Sequence, residues 1–240
     1  MDRSGRFKTT KWSVVLRARE RGEPGSRDAL ASLCEAYWYP LYVFVRRQGH
    51  DPSEALDLTQ GFFAELIEKD LLDAVRRELG KFRSFLLAAL KHHIAHERRK
   101  DDALKRGGGR EIVSLDVQDA ESRYRLDPAD DRTPERAYER QWALAVIERA
   151  RRRLQGTLEA DGKGEQYRLL APFLTDVRPE GSYHEVADAL GTTEASVKMA
   201  VLRLRRRMGQ LLRDEIAQTV AEPAEVDAEL RHLLTVLSEA

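Results

Sequence analysis

Apolar residues recur along most of the chain at spacings of three and four, and no long stretch alternates with a period of two. This spacing is that of an amphipathic helix. Gly49 ends the first helix, and Asp51, followed by Pro52, begins the second. The pattern predicts helices over 27–48, 52–69, 81–100, most of 134–220, and 226–237.

The helical pattern is interrupted once for a long interval. The run 107–109 is three glycines, and the residues from 111 to 133 are mostly polar and acidic. We therefore predict an all-α protein with two small helical domains joined by a flexible linker, the second carrying a helix-turn-helix. The expected boundaries are an N-terminal helical domain over 1–100, an acidic linker over 101–133, a second domain over 134–220 and a C-terminal amphipathic tail helix over 221–240.

The second domain contains a pattern typical of a helix-turn-helix. Ser182 and Glu185 form a capping box that fixes a helix start, Gly191 ends that helix, and Thr193 caps the next. The next helix is basic, and its start is the part that a helix-turn-helix places in the major groove of DNA. The predicted DNA-binding residues are Thr193, Glu194, Ser196, Lys198, Met199, Arg203, Arg205 and Arg206.

The first domain combines an acidic helix with a basic one. The acidic helix contains the sequence DLTQGFF at 57–63, and the basic helix, 81–100, ends in Arg98, Arg99 and Lys100. Three histidines in the basic helix do not form a His-Glu-x-x-His zinc motif, and no further histidine or cysteine cluster completes a metal shell. We expect no metal and no cofactor.

The order of these motifs resembles that of bacterial RNA polymerase sigma factors of the extracytoplasmic-function (ECF) group of the sigma-70 family. The Asp-Leu-x-Gln-x-x-Phe motif of that group is matched by Asp57, Leu58, Gln60 and Phe63. Its Phe-Arg-x-Trp-Leu-like helix is resembled by Phe82, Arg83, Phe85 and Leu86, with Phe85 where tryptophan is common. Its second domain is matched by Tyr183, Glu185, Val186, Ala187, Ser196, Val197 and Lys198.

The resemblance implies a transcription initiation factor that binds core RNA polymerase and promoter DNA. The acidic helix would bind the polymerase through Asp57, Gln60, Phe62 and Glu65. The basic helix would open and read the minus-ten promoter element through Lys81, Arg83, Lys91, His92, His96, Arg98, Arg99 and Lys100. The helix-turn-helix would read the minus-thirty-five element, and the linker would enter the active-site channel. An anti-sigma factor or other regulator is a further partner that the resemblance allows.

Charge and composition modify this interpretation only slightly. The 41 basic and 41 acidic residues cancel, but the charges are segregated along the chain, so a zero total does not argue against DNA binding. Cys34 is the single cysteine, which fits a reducing compartment. The N-terminal segment lacks a signal-peptide pattern and the apolar runs are too short to span a bilayer, so we expect a cytoplasmic protein without membrane contact.

Three alternatives remain at this point. A conventional helix-turn-helix regulator would explain residues 182–213 but not the 57–100 pattern. An enzyme lacks support, because the sequence offers no nucleophile–base pair, metal set or cofactor loop. An interaction protein without DNA binding is disfavoured by the basic second helix. For the tail helix, packing on the second domain is one expectation, and docking on the basic stripe 203–207 to restrain the free protein is the other.

Overall fold

A computed structural model gives the fold of the chain. It describes residues 26–68, 81–103, 117–126, 133–174, 182–220 and 222–239, with the side chains of 26–35, 67–68, 100–103, 117–119 and 126 excepted. Within these residues the regular elements are helices, with no strand, so the predicted all-α class is confirmed.

The α-helices follow the predicted order with one addition. In the first half of the chain they are α1 (Ser26–Arg47), α2 (Pro52–Glu68), α3 (Phe82–Ala103) and α4 (Val117–Leu126). In the second half they are α5 (Pro134–Ala160), α6 (Gly164–Leu170), α7 (Tyr183–Ala189), α8 (Glu194–Ala217) and α9 (Val226–Ser238). Short 3₁₀ turns, Ala171–Leu174 and Pro223–Glu225, follow α6 and precede α9.

The chain divides into two compact units, and the boundaries differ from those expected. The first unit comprises Met1–Ala145 together with Ala217–Ala240, and the second comprises Val146–Ile216. The first twelve residues of α5 and the whole of α9 therefore belong to the first unit, whereas the sequence pattern assigned the former to the second domain and the latter to a separate tail.

The core of the first unit is largely aromatic. Helix α2 contacts α1, α3 and α4, so it is covered on more than one side. The largest side chains with almost no exposed surface in this unit are Tyr37, Leu41, Tyr42, Phe44, Phe62, Phe82, Leu86, Leu90, Tyr138 and Trp142. Burial of so much apolar surface is the main force that holds these helices together.

The core of the second unit brings α7 and α8 together with α6 and the end of α5. Its buried members are Leu154, Tyr167, Leu170, Phe173, Val186, Ala187, Val197, Val201 and Leu204. A buried carboxylate adds a polar contact: Glu215 of α8 pairs with Arg149 and Arg153 of α5 at 3.1 and 2.7 Å. The two arginines compensate the negative charge of Glu215, which is buried away from water. These ion pairs connect α8 with α5.

Part of the predicted linker is structured. Helix α4 lies within 101–133 and packs against α2, with Glu121 accepting hydrogen bonds from Tyr42 and Arg46 of α1. None of the described helices combines the length and the apolar content needed to cross a membrane.

Candidate nucleic-acid interface

The predicted capping box at the start of α7 is confirmed. The backbone nitrogen of Glu185 donates to the Ser182 hydroxyl at 3.2 Å, and the backbone nitrogen of Ser182 donates to the Glu185 carboxylate at 2.9 Å. These two bonds satisfy backbone donors that the first turn of a helix otherwise leaves unpaired. The start of α7 is therefore fixed by its own sequence.

A four-residue turn separates α7 from α8. Gly191 adopts a φ of +60°, a conformation that side chains bearing a Cβ disfavour. The Thr193 hydroxyl then accepts from the backbone nitrogen of Ser196 at 3.2 Å and caps α8, as predicted. The reversal of the chain between the two helices thus depends on one glycine and one cap.

Helix α8 has one face in the core and one face in solvent. Val197, Val201 and Leu204 are buried against α7. The opposite face exposes Met199 and Leu202, with 51% and 40% of their surface accessible. Apolar side chains held outward beside arginines are suited to contact the edges and methyl groups of bases while the cations contact phosphates.

All eight residues predicted to bind the minus-thirty-five element are exposed on α8 or its cap. They are not equally free to move. Arg205 donates from Nε to the backbone oxygen of Phe173 at 3.0 Å. Lys198 pairs with Glu194 at 3.4 Å and lies over the ring of Tyr183. The exposed guanidinium groups of Arg203 and Arg206 project from the same helix, and they give this face its positive charge.

Helix α3 of the first unit carries a second group of exposed basic side chains. His92, His96, Arg98 and Arg99 are exposed on it, and so is Lys91, which pairs with Glu135 at 2.7 Å. Arg98 contacts the His50 ring at 3.0 Å. The side chain of Lys100, predicted to belong to the same group, lies outside the described part of the chain.

Two other residues predicted to contact the minus-ten element pair with carboxylates of the first unit, and of these Arg83 is buried while Lys81 is partly exposed. Arg83 is 5% exposed, and its Nε donates to Glu229 of α9 at 2.5 Å while its Nη1 donates to Glu139 of α5 at 2.6 Å. Lys81 pairs with the other oxygen of Glu229 at 2.5 Å. In this arrangement Arg83 joins helices of the first unit and does not present its charge to DNA.

The charge of Glu229 is stabilised by these two cations. Its carboxylate is 1% exposed, and burial acts to raise its pKa. The hydrogen bonds and charges of Arg83 and Lys81 outweigh burial, so the pKa of Glu229 is lowered from its ordinary value. The tail helix therefore belongs to the first unit, where these contacts join it to the start of α3, and not to the second domain as one expectation had it.

Of the residues predicted to bind polymerase, only Asp57 is fully exposed. Gln60 and Phe62 are 7% and 0% exposed because α2 packs against three other helices. Glu65 is partly buried and contacts the ring of His93 at 2.5 Å. Among the described side chains of α2, the exposed acids are Glu54 and Asp57.

The sequence pattern did not indicate a set of cations on α4. Arg123 and Arg125 are exposed there, and Tyr124 lies beneath the guanidinium groups of Arg46 and Arg47. A local signal was present, since Arg-Tyr-Arg at 123–125 is a basic and aromatic run within a segment otherwise rich in acid. Its position beside α1 depends on contacts between residues more than 70 positions apart, which no local pattern reveals.

A metal centre finds no support among the described residues, where no group of three or more His, Cys, Asp or Glu side chains is arranged to hold an ion. Comparisons of the chain with protein-family models, with curated proteins and with solved structures found no match. Function is therefore inferred from the residues of this chain and their geometry.

Proposed function

We propose that the protein is a transcription initiation factor of the sigma type, cytoplasmic and without catalytic activity of its own, which binds core RNA polymerase and promoter DNA. The observation that carries the proposal is the α7–turn–α8 arrangement. A capped helix, a glycine turn and a second capped helix hold the start of α8 outward, with its opposite face in the core.

The charges of α8 support DNA as its ligand. Arg203 and Arg206 are exposed on the helix that also exposes Met199. Cations that neutralise phosphates supply most of the affinity, and uncharged groups at the helix start discriminate bases. A helix face that served only for solubility would not need its apolar side chains exposed among the cations.

The first unit supports the further assignment to promoter opening. Its helix α3 exposes histidines and arginines in series, which suits binding of an unpaired strand through phosphate contacts. Its helix α2 exposes Asp57 on an acidic face suited to a basic partner surface. The order of the motifs resembles that of ECF sigma factors, and this resemblance favours core polymerase as the partner.

A conventional helix-turn-helix regulator remains the second candidate. The burial of Gln60 and Phe62 favours it, because two of the four residues assigned to the polymerase lack exposed surface. Both candidates bind DNA through α8, so DNA binding alone does not separate them.

Run-off transcription with purified core polymerase tests the proposal. The template is a pool of random promoter sequences, and the 5′ ends of the transcripts are sequenced. A sigma factor gives starts at a shared sequence motif only when it is added, and the Arg203→Gln/Arg206→Gln variant loses them. A regulator would bind a DNA motif in the same pool without conferring initiation, and that result would overturn the proposal.

A further inference from the structure

Arginines lie on α4 and near the ends of α1 and α3, and side-chain contacts link these three helices. These arginines are Arg46, Arg47, Arg98, Arg99, Arg123 and Arg125, and we call this set the arginine surface. The sequence pattern placed α4 in an acidic linker, so Arg123 and Arg125 were not assigned a role, whereas Arg98 and Arg99 were assigned to the minus-ten element. All residues of the arginine surface belong to the first unit.

Two residues connect the helices of the arginine surface. They are Arg46 of α1 and His50 in the turn that follows α1. Arg46 donates to both carboxylate oxygens of Glu121 at 3.1 and 3.0 Å, which fixes α4 against α1. A third nitrogen of Arg46 donates to the backbone oxygen of His50 at 2.5 Å. The ring of His50 in turn contacts Arg98 of α3 at 3.0 Å. This chain of contacts brings α1, α3 and α4 to one place.

Aromatic rings hold several of these guanidinium groups in fixed positions. Arg46 lies 4.6 Å from the centre of the Tyr124 ring, and Arg47 lies 5.9 Å from it. Arg123 lies 3.9 Å from the centre of the Tyr39 ring. Stacking restricts long side chains that would otherwise move freely, so less entropy is lost when they bind a ligand.

The charge balance of the arginine surface is strongly positive among the described side chains. Glu121, which is 9% exposed, is already shared by Arg46 and Arg125, and Glu54 contacts the far nitrogen of His50. Arg125 keeps 76% of its side chain exposed despite its 3.4 Å contact with Glu121. Its guanidinium, like that of Arg123, is open to an anionic ligand.

We propose that the arginine surface binds the phosphate backbone of DNA and extends the nucleic-acid contacts of α3 onto α4. The inference rests on the proposed function. Guanidinium groups bind phosphate through paired donors. Arg123 and Arg125 are exposed on α4, whereas Arg46 donates to Glu121 and to the His50 backbone and holds α4 in place. The surface follows α1 from Tyr39 to Arg46, seven residues or roughly 10 Å of helix. The exposed Arg98 and Arg99 make it continuous with the basic face of α3.

The test compares full-length variants in fluorescence anisotropy with labelled random-sequence duplex and single-stranded DNA over a range of salt. The Arg123→Gln/Arg125→Gln variant is expected to bind at least one of these DNAs about five- to ten-fold more weakly. The slope of log affinity against log salt should fall by about two, since two phosphate contacts are lost. The control is Arg152→Gln/Arg168→Gln, which removes two exposed arginines from the second unit and should change neither quantity.

Two further variants separate the outcomes. Arg123→Lys/Arg125→Lys keeps the charge and should recover most of the affinity, whereas a misfolded protein would not. Arg203→Gln/Arg206→Gln reports on α8 alone.

If the α8 variant loses affinity and the Arg123→Gln/Arg125→Gln variant does not, the inference is overturned and the proposed function stands. If that variant keeps its DNA affinity but loses core polymerase in a pull-down, the surface binds protein and the inference is overturned. Wild-type protein that binds neither DNA, whether alone or together with core polymerase, would overturn the proposed function itself.

Discussion

Arg83 and Glu229 are 146 positions apart in the chain and form an ion pair with 2.5 Å between Nε and the carboxylate. Both side chains are almost fully buried, and Arg83 also lies 4.9 Å from the ring centre of Trp142. Helix α9 is therefore part of the core of the first unit. Its residue Glu229 compensates the positive charges at the start of α3.

Loss of the Glu229 charge should destabilise the first unit strongly. Glu229→Gln leaves the buried guanidinium of Arg83 with Glu139 as its remaining carboxylate, and breaking a buried pair costs about 3 kcal/mol. Glu239→Gln is the control, because Glu239 lies in an exposed pair with Arg136 at 4.0 Å, which contributes about 0–1 kcal/mol. Urea denaturation followed by circular dichroism measures both, and equal small losses would contradict a structural role for the pair.

The contribution of Glu229 should depend on pH with a defined sign. Its pKa in the folded protein is lowered, so its stabilising effect is fully present above the unfolded value of about 4.3 and is lost as the pH falls through the folded pKa. The difference in unfolding free energy between wild type and Glu229→Gln should therefore be constant from pH 7 to 5 and shrink below about pH 4. If the difference in unfolding free energy instead grows as the pH falls, the pKa of Glu229 is raised in the folded protein and not lowered.

Deletion of residues 222–240 should lower the melting temperature and leave DNA affinity unchanged. The deletion removes Leu233, which is fully buried, together with Glu229. We therefore expect the tail to stabilise the first unit by packing. A restraining role for the tail predicts the opposite pattern, with tighter DNA binding by a protein that keeps its melting temperature. Anisotropy and calorimetry on the same preparation distinguish the two.

Two glycine-to-alanine changes should have opposite effects in the second unit. Gly191→Ala places a Cβ on a residue with a φ of +60° and should cost about 1–2 kcal/mol. Gly209→Ala adds a Cβ inside α8 with no atom within 4 Å and should stabilise by up to about 1 kcal/mol. Destabilisation by both changes would indicate that the space around Gly209 is occupied.

Asp57 should carry much of the binding of α2 to core polymerase. Asp57→Asn removes an exposed charge while keeping the shape of the side chain, so we expect weaker binding with an unchanged melting temperature. Glu165→Gln, an equally conservative change at an exposed acid of the second unit, is the control. Unchanged core affinity of Asp57→Asn in a pull-down would remove this assignment.

The parts that were predictable from sequence are those determined by neighbouring residues. Ser182, Glu185 and Gly191 act through bonds or dihedral angles within a few positions, and each has the predicted role. The burial of Phe62 was not predictable, because it follows from packing of α2 against several helices at once. The pairing of Arg83 was not predictable either, since a basic residue on an amphipathic helix looks the same whether its partner is DNA or a carboxylate from the end of the chain.

Helix α4 was missed for a related reason. Most of its ten residues are polar, and its position is stabilised by Glu121 through contacts with Tyr42 and Arg46 that span 79 and 75 positions. A short polar helix has little intrinsic stability in water, so its existence depends on the surface that receives it.

The discontinuous first unit has a consequence for biosynthesis. Its opening helices leave the ribosome well before Ala217–Ala240, because Val146–Ile216 is inserted between the two parts. At 5–20 residues per second, the ribosome needs roughly 7–30 s to pass from Arg83 to Glu229. A nascent chain holds Arg83 without its carboxylate from α9 throughout that interval, so we expect the first unit to become stable only after α9 has been synthesised.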